Sequence, residues 1–309
     1  MLLVSHGTVD DLDDLHEFVT HIRRGHAPSP DLVSQLRGHY EAIGGRSPLN
    51  RISHDLAHAL ESRLGVRVAW ANRLWKPYVR DVLTQLVGGG TRRVVVVPLA
   101  QHSAHVYAED ARRAADGLGV QLACASNWGQ NAKLHEAFAR RIAIALGAEV
   151  RVPTALLMTA HSLPKAAVVR GDPYETEVRT AAERIAGIVR ANIGPSLRCA
   201  VAFQSQGAAP RGSDGKPVEW LGPDVRTVLD ELAARGEKRV VFAPIGFLAD
   251  HVEILYDLDV EARALAVARG LEYARSASLN ADADLIDVLS DVARVILVNL
   301  DFSSFSVLF

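Results

Sequence analysis

The sequence predicts an α/β protein with two similar halves, each a parallel β-sheet flanked by helices. Short β-branched apolar runs alternate with longer helical patterns along all 309 residues. The apolar runs lack a polar face, which is typical of strands in a parallel sheet that helices cover on both sides. The order of the elements in the first half returns in the second half.

Eight apolar runs are the predicted strands. In the first half they are Leu2–Ser5, Val66–Ala71, Arg93–Pro98 and Val120–Ala125. In the second half they are Ala155–Thr159, Arg198–Phe203, Arg239–Pro244 and Leu271–Ala274. The clearest helical patterns between them are Arg51–Leu64, Tyr78–Val87, Lys133–Leu146, Tyr174–Ala191 and Pro223–Arg235. A boundary near Val150–Pro153 would divide the chain into domains 1–150 and 151–309.

Both halves place histidines directly after strands. LLVSH at Leu2–His6 is matched by LLMTAH at Leu156–His161. RVVVVPLAQH at Arg93–His102 is matched by RVVFAPIGFLADH at Arg239–His251. Ligands of open parallel sheets bind outside the carboxyl ends of the strands. The sequence therefore predicts that imidazoles from both halves face a cleft between the two domains.

Composition excludes several classes of function. The formal net charge of −2 does not favour wrapping by nucleic acid or polybasic attachment to a membrane. Cys124 and Cys199 lie in apolar segments and are expected to be buried strand thiols in a reducing, cytoplasmic compartment. Two cysteines cannot by themselves supply the four thiolates of a common iron–sulfur cluster.

No targeting or membrane-spanning segment is expected. The N-terminus enters an apolar strand directly, and no apolar stretch approaches the roughly 18 residues that a spanning helix needs. The run Val295–Phe309 is unusually apolar, but Asn299 and Asp301 interrupt it. We expect this run to dock on the protein, with association at a membrane surface as the alternative.

The segment Asp250–Glu261, DHVEILYDLDVE, follows a predicted strand and has the pattern of an acidic helix. If Asp250 caps this helix, Glu253, Asp257 and Glu261 share one face. A solvated acidic face is the ordinary explanation. However, no lysine relieves the repulsion at the i+4 positions, and His251 opens the helix at the end of a strand. This pattern indicates a face that handles cations.

A second motif, TAHSLP at Thr159–Pro164, places His161 where a strand becomes a loop. A histidine in this position can accept a proton near neutral pH or bind a metal through one ring nitrogen. A hydrogen bond to a neighbouring loop is the structural alternative. An open pair of His161 and Glu253 would be a poor permanent metal cage, but a suitable transit point for a partly hydrated cation.

Weaker signals surround these motifs. Arg23 and Arg24 could bind carboxylates or simply end a helix. The loop Gln204–Pro223, with Trp220, is suited to lining a cleft. No phosphate-binding loop or dinucleotide fingerprint occurs at a strand–helix junction.

Taken in order, the motifs of the chain resemble the ferrochelatase family. The matching segments are HIRRG at His21–Gly25, YEAIGGRSPL at Tyr40–Leu49, AHSLP at Ala160–Pro164, GDPY at Gly171–Tyr174, FQSQG at Phe203–Gly207, WLGPD at Trp220–Asp224 and PIGFLADHVEILYDLDVE at Pro244–Glu261. They cover almost the whole chain. The combination of AHSLP with DHxExLYDxD is highly specific for this family.

The resemblance implies two Rossmann-like domains of the chelatase type around a porphyrin cleft, and insertion of ferrous iron with release of two pyrrole protons. His161 would bind iron or accept a pyrrole proton, and Glu253 would face it across the macrocycle. The other implied roles are metal or proton handling by Asp257 and Glu261, binding of the porphyrin by Arg23, Arg24, Ser47 and Phe247, and structural roles for Trp220, Asp250 and His251.

The chain departs from the family at His6, where members often place a tyrosine or methionine near the metal. His6 could be an axial ligand, could strengthen product binding, or could only form a hydrogen bond. The cysteine-rich extension of some members is missing, so we expect no iron–sulfur cluster and no permanent cofactor, with iron as a substrate. The HIRRG and YEAIGG motifs resemble members that act on coproporphyrin more closely than the protoporphyrin group, and coproporphyrin III and protoporphyrin IX both remain open as substrates at this point.

We expect a monomer whose partners are the porphyrin and ferrous iron. Two alternatives remain at this point: a cobalt chelatase of corrin synthesis, and a non-catalytic carrier of haem or metal.

Overall fold

The structure, a computed structural model, describes residues 1–147, 152–206 and 218–299. Within these ranges the strands are β1 (Leu2–Ser5), β2 (Ala69–Asn72), β3 (Arg93–Pro98), β4 (Gln121–Cys124), β5 (Thr154–His161), β6 (Arg198–Gln204), β7 (Arg239–Ala243) and β8 (Glu272–Arg275). All eight predicted strands are confirmed, with ends that differ by up to three residues.

The helices of the same ranges alternate with the strands. They are α1 (Leu15–Ile22), α2 (Pro30–Ala42), α3 (Leu49–Leu64), α4 (Val79–Gly88), α5 (Ala104–Ala115), α6 (Ala132–Leu146), α7 (Lys165–Val169), α8 (Tyr174–Ile193), α9 (Val225–Ala234), α10 (Val252–Leu255), α11 (Arg263–Val267) and α12 (Ala283–Asn299). A 3₁₀ turn at Leu12–Asp14 precedes α1, and a π-helical turn at Asp257–Ala262 separates α10 from α11.

The chain forms two compact units. Unit 1 contains Met1–Gly38, Gly45–Trp128 and the described part of Asn280–Phe309. Unit 2 contains His39–Gly44 and the described part of Gly129–Leu279. The sequence predicts one boundary near Val150, whereas in the structure α6 clusters with unit 2, whose main segment begins at Gly129, and the last helix clusters with unit 1. A boundary estimated from composition along the chain cannot show that a late helix returns to an early sheet.

Each unit has a four-stranded parallel sheet, and the strand order is the same in both. It is β2-β1-β3-β4 in unit 1 and β6-β5-β7-β8 in unit 2. The similarity of the two halves is therefore confirmed at the level of topology. In each sheet the first strand of the half lies between the second and the third, so β1 is hydrogen-bonded to β2 and β3, and β5 to β6 and β7. The point where the strand order reverses, between β1 and β3 or between β5 and β7, is where open α/β sheets bind ligands.

The central strands are apolar because both faces of each sheet are covered. All four residues of β1 are buried, and β5 is buried along its length except at His161. In unit 2, Leu157, Phe242 and Leu258 belong to one core cluster that packs helices against the sheet. This packing fixes the carboxyl end of β5 and the first residues after β7.

The predicted helix at Asp250–Glu261 is wrong as a single regular helix. α10 has only four residues, and the backbone N–H groups of Val260 and Glu261 both donate to Tyr256 O at 3.0 Å. The bond from Glu261 spans five residues, which is the π-helical pattern and is frequent at functional sites. Asp250 is not the cap; His251 occupies that position and makes no capping hydrogen bond with its side chain.

Two further expectations have partial outcomes. Cys124 and Cys199 lie in β4 and β6 as predicted, but both are only half-buried. Burial raises the pKa of both thiols.

Of the run Val295–Phe309, residues 300–309 lie outside the described part of the chain, as do residues 207–217 of the predicted cleft loop. In the described ranges no helix is both long and apolar enough to cross a membrane.

Candidate active site at the carboxyl end of β5

His161 is the last residue of β5, and three hydrogen bonds hold the backbone around it. Tyr174, at the start of α8, donates from its hydroxyl to His161 O at 3.0 Å. Ser162 N donates to Gln204 O at 2.7 Å, and the Ser162 hydroxyl donates to Leu221 O at 2.9 Å. The imidazole therefore projects from a fixed backbone position at the edge of the sheet.

The loop after β7 passes very close to β5. Gly246 N donates to Thr159 O at 3.0 Å. A Cβ atom at Gly246 would lie 2.5 Å from Ala160 Cβ and 2.6 Å from Ala160 Cα, which are distances that real side chains do not adopt. Only glycine permits this approach. It places residues 244–253 next to the end of the strand that carries His161.

Glu253, in α10, contacts His161 directly at this point, so the expectation that the two residues face each other across a macrocycle is wrong for this structure. His161 Nδ1 and Glu253 Oε2 are 3.2 Å apart, and the two side chains are 35% and 36% exposed. The same carboxylate oxygen is 3.8 Å from His251 Nε2. Gln204, at the end of β6, donates from Nε2 to Glu253 O at 3.0 Å. Strands β5, β6 and β7 thus all contribute to positioning the pair.

The pair is an imidazole bonded to an ionised carboxylate. Burial alone would lower the pKa of His161, but the charge and hydrogen bond of Glu253 outweigh it and raise that pKa. For Glu253, burial would raise the pKa, but the charge and hydrogen bond of His161, together with His251, hold the pKa well below its ordinary value. The opposite shifts favour the charged pair, in which a protonated His161 lies beside an ionised Glu253.

Asp257 differs from Glu253 in its protonation. Burial raises the pKa of Asp257 to about 7, and the negative charges of Glu253 and Glu261 add to the effect. A hydrogen bond from the Ser205 hydroxyl to Asp257 Oδ2 opposes it. Ser205 adopts a left-handed conformation with φ of 57°, directly after β6. Asp257 can therefore gain or lose a proton near neutral pH.

Glu261 lies further towards solvent. Its side chain is 55% exposed and 3.9 Å from Arg226 Nη2. Because the π-helical turn interrupts the regular spacing, the carboxylates do not form the straight ridge of an α-helix. They form a series in which Glu253 is partly buried beside His161, Asp257 interacts with both neighbours, and Glu261 is exposed.

The segment that bears these acids is anchored by Arg275 at the end of β8. Arg275 donates from Nε and Nη2 to the Asp259 carboxylate at 2.8 and 2.9 Å, and from Nη1 to Asp250 at 3.3 Å. Ser278 also donates to Asp250, at 2.7 Å. Asp250 thus contacts Arg275 and Ser278 and does not cap a helix.

The other predicted residues of unit 2 also lie near this segment. The Phe247 ring is 5.0 Å from the ring of His251 and packs at the edge of the core of unit 2. Trp220 pairs through its backbone with Pro164, three residues after His161. These two positions frame the end of β5.

Sequence reasoning gave no role to four residues that the structure brings to the site. Gln204 and Ser205 begin the loop that is predicted to line a cleft, but neither residue is singled out there, and Tyr174 lies in a motif that serves only as a marker of the family. The fourth, His39, stacks on Tyr256 with ring centroids 3.7 Å apart. Burial lowers the pKa of His39, against the opposing effect of Glu261. Its signal was absent because His39 and Tyr256 are far apart along the chain.

The predicted residues of unit 1 occupy several environments. His6 follows β1, is exposed, and has Nδ1 3.2 Å from the Tyr107 hydroxyl. Arg23 donates from Nε to His26 O at 3.2 Å, and Arg24 is exposed with φ of 56°. Ser47 is buried, and its hydroxyl oxygen accepts a bond from Leu49 N at 3.4 Å at the start of α3.

The described ranges contain no group of three or more His, Cys, Asp or Glu side chains placed to hold a metal ion. The site offers instead an open imidazole–carboxylate pair beside a carboxyl group that titrates near pH 7. Such an arrangement can exchange protons and contact a passing cation, because a divalent metal displaces protons from its ligands.

Comparison with known proteins supports the similarities seen in the motifs. A family model described as Ferrochelatase matches residues 1–295. The chain is 33% identical over 307 residues to a protein named Ferrochelatase from Herpetosiphon aurantiacus, covering 94% of this chain and 97% of the relative. It is 32% identical over 308 residues to a Coproporphyrin III ferrochelatase from Listeria innocua, covering 94% and 96%.

Solved structures show the same fold at much lower identity. SirB from Bacillus subtilis with Fe3+ matches with a TM-score of 0.58 and 15% identity, covering 96% of this chain and 95% of that one. The sirohydrochlorin chelatase SirB from a Bacillus subtilis subspecies, in complex with cobalt, matches with a TM-score of 0.55 and 14% identity, covering 97% and 95%.

Proposed function

The chain belongs to the ferrochelatase family, which inserts iron into porphyrins for haem synthesis, and from this premise we propose that its substrate is coproporphyrin III. Several relatives at 32–33% identity carry that substrate in their names. The observation that carries the catalytic part of the proposal is the pair of His161 and Glu253 at the switch point between β5 and β7.

Insertion requires that two pyrrole protons leave the macrocycle as Fe²⁺ enters. Glu253 stays ionised and can attract the incoming cation, whereas His161 holds a proton in the resting pair and must release it before its ring nitrogen can take a pyrrole proton or contact the metal. Asp257 is half-protonated near neutral pH and can pass a proton outward towards the exposed Glu261. We propose that protons leave along these acids, and that the same groups attract the incoming cation.

In unit 1, Arg23 and Arg24 are proposed to bind porphyrin carboxylates, and His6 is proposed as an axial ligand on the metal. Tyr107 supports this role, since a hydrogen bond at Nδ1 orients the ring with Nε2 away from the tyrosine. Binding of the carboxylates can supply the energy that bends the flat macrocycle and exposes its nitrogens.

We further propose that the enzyme is monomeric and cytoplasmic and needs no permanent cofactor. Iron enters as a substrate. The reducing compartment is supported by the presence of only two cysteines, both free thiols.

Anaerobic insertion of Fe²⁺, followed by absorbance, tests the proposal with coproporphyrin III and protoporphyrin IX offered separately. We expect conversion of coproporphyrin III, and at least a hundredfold loss in His161→Ala with porphyrin binding retained. His58→Ala, an exposed histidine on α3, is the control and should remain active.

Wild-type activity in His161→Ala would refute the catalytic assignment. Binding of porphyrin without insertion of iron would favour a carrier, and insertion of Co²⁺ in preference to Fe²⁺ would favour a cobalt chelatase.

A further inference from the structure

A cavity of about 480 Å³ opens on unit 1, on the side of the edge strand β2. Its volume is within the range of small-molecule sites. Its lining contains an indole and two guanidinium groups, and consists of Asp10, Arg46, Ser47, Pro48, Asn50, Arg51, His54 and Trp70. The cavity is made mainly by the start of α3, together with the loop after β1.

Hydrogen bonds place the start of α3 at the carboxyl edge of the sheet. Asn50 donates from Nδ2 to Thr8 O at 2.9 Å, in the loop that follows β1. Asn72, the last residue of β2, donates from Nδ2 to Asn50 Oδ1 at 3.1 Å. Asp10 is four residues after His6. The cavity therefore lies at the edge where open parallel sheets bind their ligands.

The family resemblance assigns the porphyrin contact of this loop to Ser47, but Ser47 is only 2% exposed and its oxygen already accepts a bond from Leu49 N. The neighbouring Arg46 has an exposed side chain (67%). Its Nε and Nη2 donate to Asp10 Oδ1 at 3.2 and 2.9 Å. This bond orients the guanidinium and leaves its other edge, between Nη1 and Nη2, without a partner in the described ranges.

We propose that Arg46 binds a carboxylate of the porphyrin that coproporphyrin III has and protoporphyrin IX lacks. Coproporphyrin III carries propionate groups on all its pyrrole rings, and protoporphyrin IX on only half of them. The unpartnered edge of Arg46 offers the planar pair of donors that a carboxylate accepts. Arg51 lines the same cavity, and like Arg46 it is paired with an aspartate, Asp55, at 3.5 Å. Arg46 is the one that lies beside Ser47, in the loop to which the resemblance assigns the porphyrin contact, so we expect Arg46 to select the substrate.

This inference rests on the proposed function, and a binding measurement separates the two. The dissociation constants of both porphyrins are measured by fluorescence titration without metal. In Arg46→Leu we expect coproporphyrin III to bind about tenfold more weakly, as for one charge-assisted hydrogen bond at an accessible site. Binding of protoporphyrin IX should change less than about twofold.

Arg63→Leu is the matched control. Arg63 lies at the other end of α3, is 55% exposed, and is also paired with an aspartate, Asp287, at 2.7 Å. Arg63→Leu removes the same charge as Arg46→Leu, but at the end of α3 away from the loop that carries Arg46. Both porphyrins should therefore bind to it as they bind to the wild type. Thermal unfolding checks that each variant is folded.

An unchanged affinity of Arg46→Leu for coproporphyrin III would overturn the inference. Equal losses for both porphyrins would also overturn it, because Arg46 would then bind a carboxylate that the two share. If the wild type binds neither porphyrin, the proposed function itself fails, which is a different result.

Discussion

Asp257 combines two properties that oppose each other in a folded protein. It is largely buried beside two other acids, which raises its pKa to about 7, yet it accepts a hydrogen bond from Ser205 that favours ionisation. A buried carboxyl group with a raised pKa lowers the free energy of unfolding at pH values high enough to ionise it. Such a residue is typical of a functional site, since stability is lost where chemistry needs a charge.

We expect Asp257→Asn to stabilise the protein above neutral pH. The pKa of Asp257 is raised from 3.8 to about 7, so its contribution to stability is fully present below about pH 4 and is lost as pH rises through about 7. The variant should therefore equal the wild type near pH 4. At about pH 8 the free energy of unfolding of Asp257→Asn should exceed that of the wild type by about 1–2 kcal/mol, after allowance for solvent screening. Urea unfolding at several pH values measures this, and a constant difference would contradict it.

The iron dependence of insertion should also change with pH. The pKa of His161 is raised above 6.5 and that of Asp257 is about 7, and both groups must lose a proton to attract Fe²⁺. We expect the KM for iron to fall as pH rises from about 6 to about 8. Ser205→Ala removes a bond that lowers the pKa of Asp257, so the same curve should shift to higher pH. Identical curves would remove Asp257 from iron handling.

At this scale the sequence identified the acids and His161, because charged residues in an unrelieved row and a histidine after a strand are local signals. It could not identify Ser205 or Gln204. Their roles depend on a hydrogen bond to Asp257 and one to Glu253 O, across about fifty residues of chain. Hydrogen bonds between distant segments leave no spacing pattern.

At the scale of elements, the site depends on how closely the loop after β7 approaches β5. The sequence predicted both strands, but an α-helix over the whole of Asp250–Glu261. The sequence does not predict the π-helical turn, because the spacing of its residue types is the same whether Glu261 N donates to the carbonyl four or five residues earlier. The Arg275 bonds to Asp250 and Asp259 hold this irregular segment in place.

We expect Gly246→Ala to destabilise unit 2 by about 1–3 kcal/mol and to reduce insertion strongly. The added methyl group would lie 2.5 Å from Ala160 Cβ, so β5 and the loop must separate next to His161. Chemical unfolding and the insertion assay measure the two effects.

Gly187→Ala is the control, because Gly187 is exposed on α8 and a Cβ there meets nothing within 4 Å. That variant should be slightly stabilised, by about 1 kcal/mol. Equal behaviour of the two variants would show that the approach of the loop to β5 has no importance.

At the scale of the whole molecule, the similar topology of the two halves was predictable from the repeated order of strands and histidines. The division into units was not fully predictable. α12 packs against α3 and β3 of unit 1, although it follows every strand of unit 2 in the sequence. Its apolar face gives no indication of which sheet it covers.

We expect Leu289→Ala to lower the stability of unit 1 by about 2–5 kcal/mol, because Leu289 is fully buried on α12. Three of the four tryptophans, Trp70, Trp75 and Trp128, lie in unit 1, so tryptophan fluorescence reports its unfolding. Val295→Ala, on the exposed side of the same helix, should leave the transition unchanged. If neither variant shifts the unfolding transition, α12 does not contribute to the stability of unit 1.

The return of α12 to unit 1 also sets an order for folding during synthesis. The strands of unit 1 leave the ribosome first, but their last covering helix is translated after β8 of unit 2. Unit 2 can therefore complete its sheet while the face of unit 1 that α12 later covers is still open to solvent. For that interval the nascent chain exposes the apolar surface that chaperones bind. A stop codon just before α12 would leave a product that keeps this surface exposed permanently.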